Sequence, residues 1–138
     1  MKHGVINPDL LPALKRLGHG DLLAVVDWAN PAYATAQSED IPLFDFGYAP
    51  NVISAQDALA ALAQTIAVEK IYFASEMPPT IGKETAESLL GLFPNAERDA
   101  MPHETFKHLI ARSELIIRTG APGAYLNFVL QVGAERWE

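Results

Sequence analysis

The sequence predicts an α/β fold, in which helices are layered on a mainly parallel sheet. Short apolar runs that favour buried strands alternate with segments in which apolar residues recur at helical spacing, and this alternation is typical of layered α/β proteins. An apolar content of 49% is sufficient for a folded core. We expect one domain over 1–138, because chains divide into several cores only beyond roughly 250 residues.

The predicted elements have glycine or proline near many of their ends. Asn7 before Pro8, and Ser54 further along, are suitable caps for helix N-termini. Gly18 and Gly20 can end the first helix. In chain order we predict a helix over 8–17, a strand over 22–26, a helix over 54–68, a strand over 70–75, helices over 82–93 and 102–113, and strands over 114–118 and 126–132.

Two segments lack a clear period. Residues 28–51 combine three prolines and a glycine with aromatic and acidic side chains, so we expect a long loop. A loop of this length in a small domain is usually functional or held by a partner chain. Residues 96–100 are compatible with a short edge strand or with a loop.

The composition argues against several classes of function. Ten Lys and Arg against seventeen Asp and Glu give a formal net charge of −7, which opposes the attraction that drives non-specific nucleic-acid binding. The absence of cysteine excludes disulfides, thiolate metal sites and a cysteine nucleophile. The charge-free stretch 58–68 is shorter than a membrane span of about 20 residues. We expect no nucleic-acid partner, no membrane anchor and, without a recognisable secretory signal, a cytoplasmic location.

Among the four histidines, His19 is the strongest candidate for acid–base chemistry. It lies between two glycines on a predicted helix-to-strand turn, so the imidazole can project and exchange protons near neutral pH. The alternative is a turn histidine bonded to a neighbouring carbonyl. His103 and His108 are five apart on one predicted helix and thus about 140° apart around its axis, which excludes a shared metal ion. The sequence contains no zinc-binding signature.

Other polar residues lie where a ligand could bind. Asp27 follows a predicted parallel strand, at the sheet edge where ligands usually bind, although it could instead cap a helix or fix a loop. His103 and Lys107 are four apart and share one helix face, as a solvated surface pair also would. Tyr125 and Asn127 alternate on the predicted last strand and would point the same way, towards sugar hydroxyls or into ordinary packing.

Taken in order, these segments resemble the ribose pyranase and fucose mutarotase family (RbsD/FucU). Residues 17–21 (Leu-Gly-His-Gly-Asp), followed by 25–27 (Val-Val-Asp), are similar to its Leu-Gly-His-x-Asp motif and the strand that ends in Asp. Residues 103–107 (His-Glu-Thr-Phe-Lys) resemble the start of a helix in that family. Residues 117–120 and 125–130 are similar to its Arg-Thr/Ser-Gly and Tyr-x-Asn-hydrophobic ending.

The resemblance implies an α/β/α fold assembled into a homo-oligomeric ring, typically a decamer, with active sites between neighbouring subunits. It implies interconversion of cyclic sugar forms without a metal or an organic cofactor. By the same resemblance, His19 is the proton donor, and Lys107 is a nearby ligand or a structural contact. The residues that would bind the sugar are Asp27, His103, Tyr125 and Asn127.

The chemistry of the residues agrees with this resemblance. A hemiacetal ring opens when the anomeric hydroxyl loses a proton and the ring oxygen gains one, and general acid–base catalysis contributes roughly 10²–10⁴-fold to such steps. We therefore predict a mutarotase or pyranase that acts on a free monosaccharide such as ribose or fucose. The alternatives are a non-catalytic sugar-binding or regulatory protein, and an assembly protein without either role.

Two departures from the family pattern leave the sugar open. Trp28 replaces a small residue after Asp27 and could narrow the pocket or change the accepted sugar. Residues 40–45 (Asp-Ile-Pro-Leu-Phe-Asp) differ from the Ile-Asp-Leu-Ala-like segment expected in the ribose branch.

Overall fold

The computed structural model describes residues 3–123 and 125–134. These residues form six helices and six strands. The helices are α1 (Leu10–Lys15), α2 (Ala32–Glu39), α3 (Ala55–Ala63), α4 (Met77–Ile81), α5 (Lys83–Leu90) and α6 (His103–Ile110). The strands are β1 (Leu22–Val26), β2 (Leu43–Asp45), β3 (Val68–Ala74), β4 (Glu97–Met101), β5 (Leu115–Arg118) and β6 (Phe128–Val132).

The strands form one mixed sheet in the order β2-β5-β1-β6-β3-β4. β5 is parallel to β1 and β2, and β3 is parallel to β4. β6 lies between β1 and β3 and is antiparallel to both. Five strands therefore share one direction, as the predicted mainly parallel sheet requires, and β6 runs against them. The predicted α/β class is confirmed.

Helices cover both faces of the sheet. Successive side chains of a strand point to opposite faces, so a central strand packs against both layers of helices. In β1, Leu23 and Val25 belong to a core cluster that includes residues of α1, α3 and α5. Ala24 and Val26 belong to a second cluster on the other face, with residues of α2 and α6. All four side chains are fully buried, which explains why the run is apolar throughout.

Two predicted caps are present. The side-chain Oδ1 of Asn7 accepts hydrogen bonds from the backbone N–H groups of Asp9 and Leu10, both at 2.9 Å. Ser54 Oγ accepts from the backbone N–H of Asp57 at 3.0 Å, in front of α3. Each bond satisfies a donor that the first helical turn leaves free.

The prediction of a loop over 28–51 is wrong in part, since α2 and β2 lie within it. The buried residue of α2 is a small one, Ala32, at 0% exposure. The helix therefore lacks the row of large apolar residues that would reveal it in the sequence. It ends at Asp40, which has a left-handed φ of 55°. β2 pairs with β5 alone, and its three residues are too few to show a strand pattern in the sequence.

The other boundaries differ more modestly. The ambiguous segment 96–100 contains the edge strand β4. The helix predicted to reach Val68 ends at Ala63, and Val68 begins β3. α4 begins at Met77, and the two prolines after it occupy its first turn. A backbone N–H at these positions would have no partner within the helix, so proline, which has no N–H, is tolerated there. The helices of the described residues have at most nine residues, and none is long and apolar enough to cross a membrane.

Candidate functional site

A small pocket opens at the sheet edge where β1 ends and β6 begins. Its volume is about 260 Å³. The lining residues are Asp27, Ala29, Asn30, Pro31, His103, Gly123, Tyr125 and Asn127. Four of the predicted site residues therefore converge on one pocket, which we call the carboxyl-edge pocket.

The strand order produces this convergence. β6 is antiparallel to β1, with Val25 opposite Phe128, so the residues after β1 lie beside the residues before β6. Asp27 and Asn127 are 100 positions apart in sequence and yet bonded. α6 begins at His103, directly after β4, so its first residue lies at the same edge of the sheet.

Asp27 and Asn127 hold each other in the floor of the pocket. The backbone N–H of Asp27 donates to Asn127 Oδ1 at 2.9 Å, and Asn127 Nδ2 donates to Asp27 Oδ2 at 3.2 Å. Both residues are 4% exposed. Burial raises the pKa of Asp27, and hydrogen bonds from the Asn30 backbone and the Asn127 side chain oppose that rise. The Asp27 carboxyl therefore keeps its proton to a higher pH than a surface aspartate does.

His103 is fixed by its backbone and by its ring. Its backbone N–H donates to the Glu76 carboxylate, at 3.0 Å to Oε1 and 3.2 Å to Oε2. The ring meets the edge of Tyr125 in a T-shaped contact, with centroids 5.3 Å apart. Nδ1 of His103 is buried and has no hydrogen-bond partner among the described residues. The pocket thus contains a rigid imidazole with a free polar atom.

Tyr125 and Asn127 line the pocket for a different reason from the predicted one. β6 begins at Phe128, so neither residue is on the strand, and the prediction that they alternate on it is wrong. Tyr125 has a left-handed φ of 63°. Gly123 has a φ of 101°, which glycine adopts without strain. A turn therefore brings the tyrosine to the pocket.

Asn30 is a pocket residue that sequence reasoning missed. Its Oδ1 is buried without a hydrogen-bond partner among the described residues, as is Nδ1 of His103. Buried polar atoms are normally paired, so two such atoms at one pocket indicate a polar ligand. The available signal was a polar side chain three residues after the strand-ending Asp27.

His19 and Lys107 lie outside this pocket. His19 precedes β1, whereas Asp27 follows it, and the five residue steps from Leu22 to Asp27 span roughly 17 Å at strand geometry. His19 Nε2 is 2.7 Å from Glu69 Oε1. Lys107 lies on the outer face of α6, where its Nζ is 2.6 Å from Glu104 Oε2. The pocket of a single chain therefore contains neither side chain.

Trp28 does not narrow the pocket of this chain. It is absent from the lining residues, and the residue is 39% exposed. Its backbone N–H donates to Ala121 O at 2.9 Å, and its carbonyl accepts from Arg118 Nη2 at 3.2 Å. These bonds fix the backbone of Trp28 beside Ala121 and Arg118. Within residues 3–123 and 125–134, no three histidine or acidic side chains converge as a metal site would require.

The fold and the pocket define a small α/β protein with a buried carboxyl and a polar cleft at one sheet edge. The chain belongs to the RbsD / FucU transport protein family, whose model matches residues 1–135. The family suggested by the sequence motifs is confirmed.

Comparison with individual proteins gives the same result. The chain is 34% identical over 132 residues to the D-ribose pyranase of Bacillus subtilis and 32% identical over 132 residues to that of Lactobacillus gasseri, with 96% of each chain covered in both cases. The structure of Bacillus subtilis RbsD complexed with D-ribose is similar at a TM-score of 0.86 and 33% identity, over 99% of both chains. A fucose mutarotase from Streptococcus pneumoniae, in complex with L-fucose, shares the fold at a TM-score of 0.76 and 20% identity, over 95% of both chains.

Proposed function

We propose that this chain is an isomerase that interconverts the cyclic forms of a free monosaccharide, with D-ribose as the first substrate to test. The observation that carries the proposal is the carboxyl-edge pocket, in which a buried carboxyl lies beside two polar atoms that have no hydrogen-bond partner in residues 3–123 and 125–134. The 34% identity to a D-ribose pyranase supports the choice of sugar. A structure that is 33% identical to this chain was solved with D-ribose.

The pocket suits a small, polyhydroxylated ligand. Its volume of about 260 Å³ lies just below the usual range for drug-sized ligands, roughly 300–1,000 Å³. Asn30 Oδ1 accepts from a sugar hydroxyl, and His103 Nδ1 bonds to a second one. Asn127 and Tyr125 add an amide and a phenol to the same wall. Each hydroxyl of the sugar thereby finds a partner that replaces water.

Two proton positions are needed for ring opening. Asp27 accepts the proton of the anomeric hydroxyl, while His19 donates a proton to the ring oxygen. The bond from the anomeric carbon to the ring oxygen breaks, and the carbonyl forms. When a hydroxyl attacks either face of that carbonyl, both protons return and a new anomer or ring size results. No net proton is consumed.

His19 can take this role only if it enters the pocket of another copy. We therefore propose a homo-oligomeric ring, a decamer, with each site between two subunits and Lys107 as a nearby contact. Exposed apolar side chains at the carboxyl edge of the sheet support an interface, since patches of this kind mark contact surfaces. They are Trp28, Tyr33, Tyr48 and Val52, with exposures of 39%, 61%, 90% and 51%.

Saturation-transfer NMR on D-ribose tests the activity, with L-fucose as a second sugar. We expect the wild-type protein to accelerate exchange between ring forms and His19→Ala to lose most of that acceleration. Unchanged exchange for every sugar would remove the proposed activity, and saturable binding without exchange would favour the non-catalytic alternative. Light scattering that gives a 15.0 kDa particle at micromolar concentration would contradict the ring.

A further inference from the structure

The turn that carries His19 is held firmly against the end of β6. The backbone N–H of Gly20 donates to Val132 O at 2.8 Å, and the backbone N–H of Val132 donates to Asp21 O at 2.9 Å. The backbone N–H of Gly18 donates to Asp21 Oδ2 at 2.7 Å. Gly20 has a φ of 92°, which suits glycine. The imidazole therefore projects from a backbone that is fixed on both sides.

A chain of side chains from β3 and β6 then reaches the ring. His19 Nε2 is 2.7 Å from Glu69 Oε1, and Gln131 Nε2 donates to Glu69 Oε2 at 2.6 Å. The hydroxyl of Tyr72 donates to Gln131 Oε1 at 2.7 Å. We call these four residues the His19 cluster. Both oxygens of Glu69 are occupied, and the Gln131 amide is oriented by Tyr72.

Glu69 is an anion at neutral pH. The hydrogen bond from Gln131 and then the bond from His19 lower the pKa of its carboxyl. An ionised carboxylate accepts hydrogen bonds and donates none, so the hydrogen between the two residues belongs to His19 Nε2. In the neutral imidazole the lone pair is then on Nδ1.

We propose that Glu69 is a positioning residue for His19, which holds Nε2–H so that Nδ1 is the atom that exchanges a proton with the sugar. The inference rests on the proposed role of His19 in ring opening. In the protonated ring, Nδ1–H is given to the ring oxygen, and the hydrogen on Nε2 stays bonded to Glu69. No atom of Glu69 touches the sugar.

The simpler interpretation is an exposed ion pair without a catalytic consequence. The His19 and Glu69 side chains are 62% and 36% exposed, and pairs of this kind contribute little to stability. For this reason Glu69→Gln should fold as the wild type does. The amide of that variant can donate to Nε2, which would allow the other tautomer.

Glu87→Gln is the matched control. Glu87 Oε2 lies 2.7 Å from Arg98 Nη1, so the same substitution removes an exposed pair of the same length in another part of the molecule. Neither Glu87 nor Arg98 lies in the carboxyl-edge pocket or the His19 cluster.

The tautomer can be measured in the native assembly by magic-angle-spinning ¹⁵N NMR of protein labelled on its histidine rings. The signals of His19 are assigned by difference against His19→Ala. At a pH where the ring is neutral, we expect protonated Nε2 and bare Nδ1 in the wild type and in Glu87→Gln. In Glu69→Gln we expect loss of that preference. A wild-type ring that carries its hydrogen on Nδ1 would overturn the proposal.

Kinetics provide the second readout. We expect Glu69→Gln to lower kcat for ring-form exchange on the order of 10²-fold, the lower end of what acid–base catalysis contributes, with KM nearly unchanged. Glu87→Gln should retain wild-type kcat. Equal kcat in Glu69→Gln and the wild type would also overturn the proposal. If the wild type exchanges no sugar, the proposed function fails, and the tautomer spectrum alone then decides whether Glu69 sets the state of the ring.

Discussion

The carboxyl-edge pocket and the His19 cluster lie at opposite ends of β1 and β6, and they are built differently. In the pocket, Asp27 and Asn127 are buried and joined through a backbone N–H as well as through side chains. In the cluster, His19 and Glu69 are exposed, and side chains alone make the bond. The pocket is a polar cleft within one chain, whereas the cluster presents an oriented imidazole outward.

In the proposed mechanism, this difference lets one short chain supply both parts of an acid–base site. The proposed base, Asp27, is placed in the interior, where desolvation raises its pKa. The proposed acid, His19, is placed on the surface, from which it can reach another copy in the proposed ring. A neighbouring carboxylate can orient such a group, because its bond to the ring is directional.

The largest expected effect comes from removing the acid–base function of the pocket. Asp27→Asn preserves size and the backbone bond to Asn127 but cannot exchange a proton. We expect ring-form exchange of D-ribose to fall on the order of 10²–10⁴-fold, as measured by saturation-transfer NMR. Glu87→Gln, which alters the exposed pair with Arg98, is the control and should retain the wild-type rate. Comparable rates for Asp27→Asn and the wild type would show that the pocket carboxyl has no part in proton transfer.

As pH rises, the free energy of unfolding should change in opposite directions, relative to the wild type, in variants of the two regions. Burial raises the pKa of Asp27, so its stabilising contribution is present below the ordinary aspartate pKa and is lost as pH rises through the raised value. Relative to the wild type, Asp27→Asn should therefore gain free energy of unfolding as pH rises above the ordinary aspartate pKa. Urea unfolding at several pH values measures this gain, and a loss over the same interval would contradict it.

Glu69 should show the opposite and weaker trend. Its lowered pKa, due to Gln131 and then His19, gives a contribution that is present above the ordinary glutamate pKa and is lost as pH falls through the lowered value. Glu69→Gln should lose stability relative to the wild type as pH rises, by a small amount because the pair is exposed. The same urea series checks this, and a trend of the same sign as that of Asp27→Asn would remove the contrast.

A more modest effect is expected from the missed pocket residue. Asn30→Ala removes one neutral hydrogen bond to the sugar, which corresponds to about 3–10-fold weaker binding. Isothermal titration or the KM for D-ribose measures the change. Asn95→Ala, at an exposed asparagine outside the pocket, should bind as the wild type does. Tighter or unchanged binding by Asn30→Ala would place the sugar away from Asn30.

The smallest effect is expected at Lys107. Its ammonium pairs with Glu104 on the exposed face of α6, and both side chains remain accessible. Lys107→Ala should change kcat/KM by about twofold or less, as is usual for an exposed pair. A loss above tenfold would assign Lys107 to the sugar in the assembled protein.

Local patterns predicted the parts of the fold in which burial and sequence agree. β1 is buried on both faces, so its five residues are all apolar and reveal the strand. α2 packs only small residues, and β2 has a single neighbour, so neither leaves a periodic pattern. The direction of β6 depends on long-range pairing with β1 and β3, which no local pattern encodes.

The site shows the same division. The position of Asp27 after a parallel strand predicted a ligand site from the residues themselves, and the motifs of the family supplied His103, Tyr125 and Asn127. The bond of Glu69 to His19 joins residues 50 positions apart and depends on the strand order, so sequence reasoning did not find it. Tyr125 was predicted on a strand. Its left-handed φ is uncommon for a tyrosine, and no sequence pattern indicates such a backbone angle.

The central position of β6 also constrains how the molecule is made. β6 is the last described strand in the chain and lies in the middle of the sheet, so without it β2-β5-β1 and β3-β4 would be two groups of strands with unpaired edges. Residues at its two ends belong to the carboxyl-edge pocket and to the His19 cluster. Pairing of β6 therefore completes the sheet and both regions together, and it covers strand edges that would otherwise favour aggregation.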